Sequence, residues 1–259
     1  MILRLQPALS FLTEHSDYLQ THSLDGVPGS SLATIGELAD SSMVNDLNLA
    51  LFTIERIVNE SQEELYEVTN QFHINTIGPR NEALNRGVRL KSIEAQDSIM
   101  PAAIREWFRS HPDYIETTYG ARDEGRVYEK VVQNMPYLLH MSESEAFIAF
   151  PDSTGGFDHI GFTSKDQGFL DWSKELFETT WRNNPTKGQK IKELYRKVIE
   201  DESLADQILD FSGINPQLEQ HGLSAGQDLT VIGEIIQLYL NRGVPLSSIE
   251  PEYYWKQMR

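Results

Sequence analysis

Between residues 46 and 119 the hydrophobic period alternates between about 3.6 and about 2, and this restricts the fold more than any other feature of the chain. Leu47, Leu51, Ile54 and Val58 recur at helical spacing over 46–60. Leu65-Tyr66-Glu67-Val68-Thr69 then reads as a strand, rich in β-branched and aromatic residues. A helix over 76–86 is closed by Gly87, and Val88-Arg89-Leu90-Lys91-Ser92-Ile93 alternates apolar with polar as a second strand does. A helix over 98–109 places Ile99, Ala103, Ile104, Trp107 and Phe108 on one face, and residues 114–119 read as a third strand. Strand, helix, strand, helix, strand is the pattern of a parallel α/β unit with right-handed crossovers.

The chain around that unit has a different rhythm. Leu5, Leu9 and Leu12 share one helical face near the start, and Gly26-Val27-Pro28-Gly29 breaks the chain after it. Tyr137-Leu138-Leu139-His140-Met141 and Ala146-Phe147-Ile148-Ala149-Phe150 flank a four-residue polar loop, and residues 157–162 follow a Gly155-Gly156 turn. These read as successive antiparallel strands. A helix over 166–182 turns Phe169, Trp172, Leu176, Phe177 and Trp181 inward. The remainder reads as helices over 189–200, 202–211 and 225–241. The expected organisation is therefore a mixed α/β domain over 1–183 and a helical C-terminal region over 184–259.

Charge divides the chain at the same place. The net charge is -17 over 259 residues. Residues 1–180 hold 13 basic and 28 acidic residues, whereas residues 181–259 hold 9 and 11. A broad nucleic-acid footprint needs a basic face, so no direct nucleic-acid contact is expected. With no cysteine, disulfides, thiolate nucleophiles and Cys-based metal sites are excluded. No stretch reaches the ~18 apolar residues of a membrane span, and the N-terminus lacks the apolar core of a secretion signal. A cytoplasmic protein with no membrane partner is expected.

Three stretches, in order, resemble one family. The first is Tyr18-Leu19-Gln20-Thr21-His22-Ser23-Leu24-Asp25-Gly26-Val27-Pro28 with Ile35-Gly36-Glu37-Leu38. The second is Val68-Thr69-Asn70-Gln71. The third runs from Met135-Pro136-Tyr137 through Ala146-Phe147-Ile148-Ala149-Phe150-Pro151-Asp152 to Trp172-Ser173-Lys174-Glu175-Leu176-Phe177. Together they resemble the effector region of archaeal winged-helix transcriptional regulators of the methanogenesis-regulator type, which are related to archaeal sugar-sensing regulators. The resemblance covers about residues 1–182. It implies a phospholipase D-like mixed sheet and a sensing role, and it places a winged helix ahead of Met1, where this sequence has none.

Catalytic patterns were compared with the chemistry they require. Phospholipase D enzymes use a nucleophilic His with a Lys two residues on, and none of the seven His, at 15, 22, 73, 111, 140, 159 and 221, is followed in that way. Gly222-Leu223-Ser224-Ala225-Gly226 matches a nucleophile elbow, but no apolar strand precedes it and no His follows it. Ser224 and Gln227 instead form a capping box. The glycines of 120–125 lack a P-loop's Lys and Ser/Thr. Lys187, Lys190, Lys192, Arg196 and Lys197 share their helix with Glu193 and Glu200, as a solvated face does. No catalytic set, metal site or cofactor is expected.

Ligands of open α/β sheets bind beyond the carboxyl ends of the strands. That rule nominates Asn70 and His73 after the first strand, Glu94 after the second, and Tyr119 and Arg122 after the third. Asn70 would hydrogen-bond a polar ligand, Arg122 would pair with an anion and Tyr119 would stack. The expected function is non-catalytic sensing of a small-molecule effector in transcriptional control, through a partner regulator or a DNA-binding module. The alternatives are an interaction protein that forms a homodimer through its helices, with Tyr239, Leu240, Tyr253, Tyr254 and Trp255 as the contact, and a residual phosphodiesterase acting through His73.

Overall fold

In the computed structural model the described residues run from 2 to 183, without 72, 100–116, 119, 122, 123 and 133. Their centre is one seven-stranded sheet, in the order β1-β7-β6-β5-β2-β3-β4. The strands are β1 (Ser42–Val44), β2 (Glu64–Gln71), β3 (Arg89–Ile99), β4 (Val127–Val132), β5 (Leu138–Met141), β6 (Ala146–Ala149) and β7 (Gly161–Ser164). β2, β3 and β4 pair in parallel, and every other pairing is antiparallel. The sheet is thus mixed, as the alternation followed by hairpins requires.

The helices are α1 (Ile2–Glu14), α2 (Ser16–Thr21), α3 (Gly29–Leu32), α4 (Leu47–Glu60), α5 (Ile74–Asn85) and α6 (Gln167–Asn183). Local chemistry sets several of their ends. Asp46 caps α4, its carboxylate accepting from the Leu49 amide at 3.1 Å. Asp166 does the same for the Gly168 and Phe169 amides at the start of α6. Gly87, at φ +97, ends the α5 turn in the left-handed region open to glycine.

Strand alternation separates two cores. On one face Tyr66, Val68, Ile93, Leu139, Ile148 and Phe162 pack with α6 and the N-terminal helices through Phe11, Tyr18, Phe169, Trp172 and Phe177. On the other, Leu65, Leu90, Leu138 and Phe147 pack with α4 and α5 through Ile54, Ile57, Ala83 and Leu84. The N-terminal helices are tied down by long-range bonds. The Tyr18 hydroxyl donates to the Ile160 carbonyl and accepts from the Phe150 amide, and the Trp172 indole donates to the Ser31 carbonyl.

Four expectations are corrected. The third parallel strand is β4 at Val127–Val132, whereas Thr117 and Thr118, inside the expected strand 114–119, are helical. β4 is an edge strand whose Tyr128-Glu129-Lys130 centre hides its period, while Val127 and Val132 are buried on opposite faces. The expected helix 98–109 begins two residues inside β3, which runs to Ile99, and the rest of it lies outside the described residues. The strand expected at 157–162 starts only at Gly161, because His159 adopts φ +64 and Asp158 accepts from the Ile160 amide. Finally, Leu9, Leu12 and Leu47 are exposed, and Phe11 and Ala50 occupy the buried positions. Residues 184–259, with every helix expected there, lie outside the described residues. No helix among the described residues is long and apolar enough to cross a membrane.

Candidate functional site

The face of the sheet toward α4 and α5 changes from apolar to polar along its strands. Leu65 and Leu90 are cross-strand partners at the amino ends of β2 and β3. Two residues on, Ser92, Glu67 and His140 stand side by side on β3, β2 and β5, and two further on Glu94 faces Thr69. All five are buried, with Glu67 and His140 each only 1% exposed. A carboxylate cannot stay charged at that depth without a partner. α5 supplies one: Arg80 Nη2 donates to Glu67 Oε2 at 2.7 Å. The guanidinium is itself buried.

Three imidazoles border this ion pair. His140 comes from β5, His73 from the residue before α5, and His159 from the loop between β6 and β7. The His73 ring centre lies 5.2 Å from that of His159 and 6.3 Å from that of His140. His140 Nδ1 is 3.7 Å from Glu67 Oε1, a Coulombic contact beyond hydrogen-bond range. Among the described residues, neither ring nitrogen of His140 has a hydrogen-bond partner, nor do Glu67 Oε1 and Asn70 Oδ1.

The charge states follow from burial and neighbours. Burial alone would raise the Glu67 carboxyl. The Arg80 guanidinium, aided by His140, overrides it and holds Glu67 well below the usual carboxylate range. Burial, reinforced by repulsion from the Arg80 guanidinium and from the neighbouring His140 and His159 rings whenever they are protonated, pushes His73 down to about 3. His159 is lowered by burial and then by His140. At neutral pH the site therefore holds one compensated ion pair beside His73 and His159 as neutral imidazoles, each with one donor and one acceptor. The two neutral rings offer a ligand directional hydrogen bonds. Among the described residues, no group of three His, Asp or Glu could hold a metal ion.

This arrangement makes stability sensitive to acid. Below the ordinary imidazole value of 6.5 the unfolded chain binds a proton at His73, and the fold resists it down to about 3. Stability from this group is full above that window and is lost as pH falls through it. The His73→Gln variant is expected to flatten the decline in unfolding free energy between about pH 7.5 and about pH 5, measured by urea titration. An unchanged slope would show that His73 is not held neutral.

Asn70 and His73 lie near the end of β2, as the strand-end rule expects, but Glu94 does not lie beyond its strand: β3 runs on to Ile99 and Glu94 sits in its interior, paired with Thr69. Glu94 is buried there, accepting from Ser92 Oγ at 3.2 Å. Tyr119 and Arg122 lie outside the described residues. Glu67, Arg80, His140 and His159 were missed. One signal was available: strand alternation puts Glu67 on the same face as Leu65, and a charge at a core-facing position needs a partner.

No family model matches the chain, and no curated protein matches it significantly. Among solved structures it is similar to Nuc, a phospholipase D family member from Salmonella typhimurium, at 10% identity and a TM-score of 0.35, over 51% of this chain and 86% of that one. It is also similar to TrmBL2, an archaeal chromatin protein described as showing a novel mode of DNA binding, at 16% identity and a TM-score of 0.41. That likeness takes in 56% of this chain and 53% of the other, so the chain spans about half the length of the chromatin protein it matches.

Proposed function

We propose that residues 1–183 form a non-catalytic sensing region of regulatory type, and that its effector is a small, uncharged, hydroxyl-bearing molecule held between the end of β2 and β5, beside His73 and His140. The observation that carries this reading is the pair of buried His140 ring nitrogens without hydrogen-bond partners, in a ring centred 6.3 Å from that of the neutral His73. Buried polar atoms are usually satisfied, and a ligand's hydroxyls would satisfy these. The resemblance of the sequence to regulator effector regions supports the same reading. Sensing requires only that the ligand favour one state of the protein, so no nucleophile is needed.

A thermal-shift screen of hexoses, disaccharides and pentitols tests the proposal. At least one is expected to raise the melting temperature, because a ligand bound only by the folded state stabilises it by mass action. The Asn70→Ala, His73→Ala double variant is expected to lose that rise. No rise with any compound, or the same rise in the double variant, would overturn the proposal.

A further inference from the structure

The opposite face of the sheet carries a second polar assembly, on the side of α6. At the amino ends of β2, β3 and β4 lies a cavity of about 240 Å³, with Glu64, Tyr66, Arg89, Lys91 and Tyr128 in its wall. Lys130 and Lys174 stand beside it. Arg89 and Lys174 both pair with Glu64, at 2.7 and 3.1 Å, and Lys91 pairs with Glu178 at 2.7 Å. Arg89, Lys91 and Lys174 thus surround two carboxylates, Glu64 and Glu178.

The amines are held in place by rings. Lys91 Nζ lies 5.6 Å from the centre of Tyr66 and 5.7 Å from that of Trp181. Lys130 lies 4.9 Å from Trp181 and donates to its carbonyl at 2.5 Å, and Lys174 lies 5.2 Å from Tyr66. Cation–π contacts of this kind restrict flexible side chains, and a pre-positioned charge loses less entropy on binding. Tyr128 presents a ring 42% exposed at the rim. A phosphate monoester carries about -1.5 to -2 charges at neutral pH, and its oxygens accept charge-assisted hydrogen bonds from guanidinium and ammonium groups such as those of Arg89 and Lys91. The volume lies below that of most drug-sized pockets and suits one phosphorylated sugar rather than an extended cofactor.

We propose that this cavity binds the phosphate monoester of a nucleotide, with Arg89 and Lys91 on the phosphate and Tyr128 stacked on the base. The site is on the other face of the sheet from the His73 cluster and stands or falls independently of it. Isothermal titration of the full chain with AMP and UMP tests it, with adenosine and inorganic phosphate as separate arms. AMP or UMP is expected to bind, and more weakly as salt is raised. The Arg89→Gln, Lys91→Gln double variant is expected to bind about tenfold or more weakly with an unchanged circular dichroism spectrum, the equivalent of one charge-assisted hydrogen bond. Tyr128→Ala is expected to weaken AMP by about fivefold or more and leave inorganic phosphate unaffected. A further arm compares a pentanucleotide carrying a 5′-phosphate with its 5′-hydroxyl form. Preference for the phosphate form extends the site to the ends of nucleic-acid strands, and equal rejection of both restricts it to free nucleotides. No binding of AMP or UMP, binding indifferent to the double variant, or adenosine or phosphate binding as tightly as AMP would overturn the proposal.

Discussion

Replacing Glu67 by alanine is expected to destabilise the protein by about 3–5 kcal/mol, the cost of breaking a buried pair by removing one partner. Arg80 loses the Glu67 carboxylate at a depth where only 6% of the residue meets solvent, and the guanidinium cannot deprotonate to escape. Urea unfolding of the Glu67→Ala variant measures this directly. The Glu67→Leu, Arg80→Met double variant is expected to recover most of the loss, because an apolar pair of similar volume removes the buried charge altogether. A loss below about 1 kcal/mol in the single variant would mean that water reaches the pair. The double variant carries a second message. If its stability matches or exceeds that of the parent while the thermal response to an effector disappears, the ion pair is retained for binding rather than for folding.

Phe162→Ala is expected to be as damaging, by about 3–5 kcal/mol, because it opens a large cavity in a closed core. The Phe162 ring is fully buried on β7 and meets three rings edge-on, Phe11 at 5.2 Å, His15 at 4.8 Å and Tyr18 at 5.0 Å. Those contacts add to the area buried, and they join α1 and α2 to the sheet. The loss should therefore be accompanied by faster proteolysis of the N-terminal helices than of the strands. Phe52→Ala, at a ring 60% exposed on α4, is the matched control and is expected to stay within about 0.5 kcal/mol of the parent. Equal losses for the two variants would contradict the assignment of the core.

Most of the elements could be read from the sequence because their apolar patterns are clear. β5 and β6 are short runs buried at every position and bounded by turn residues, and α6 repeats its buried residues at helical spacing. β4 escaped because, as an edge strand, it has a polar centre. The residues at 117–118 favour strands locally yet are helical, a case of tertiary context overriding propensity. Position along one strand was legible at the end of β2, where Asn70 and His73 could be named, whereas Glu94 reads as a strand-end residue because the continuation of β3 to Ile99 does not show in its pattern. Glu67 and His140 become neighbours because β5 returns antiparallel beside β2, across 73 positions of sequence. No periodicity records that choice of neighbour. Arg80 lies six residues beyond the start of α5, and its role emerges only from the packing of α5 on the polar half of the sheet.

The hydroxyl of Tyr18 meets partners 142 and 132 residues downstream, and the Trp172 indole meets Ser31 across 141. During synthesis, then, the first helices can pack on one another and on residues 35–38 but cannot complete their packing until the last strands of the sheet have been made. At about 5–20 residues per second, that delay is roughly 7–30 s, during which Phe11 and Tyr18 remain incompletely covered. Long-range closures of this kind slow folding because chain entropy is lost before the contacts form. The nascent N-terminus is therefore the segment most exposed to chaperones and proteases, although in the finished fold it is sealed against β7.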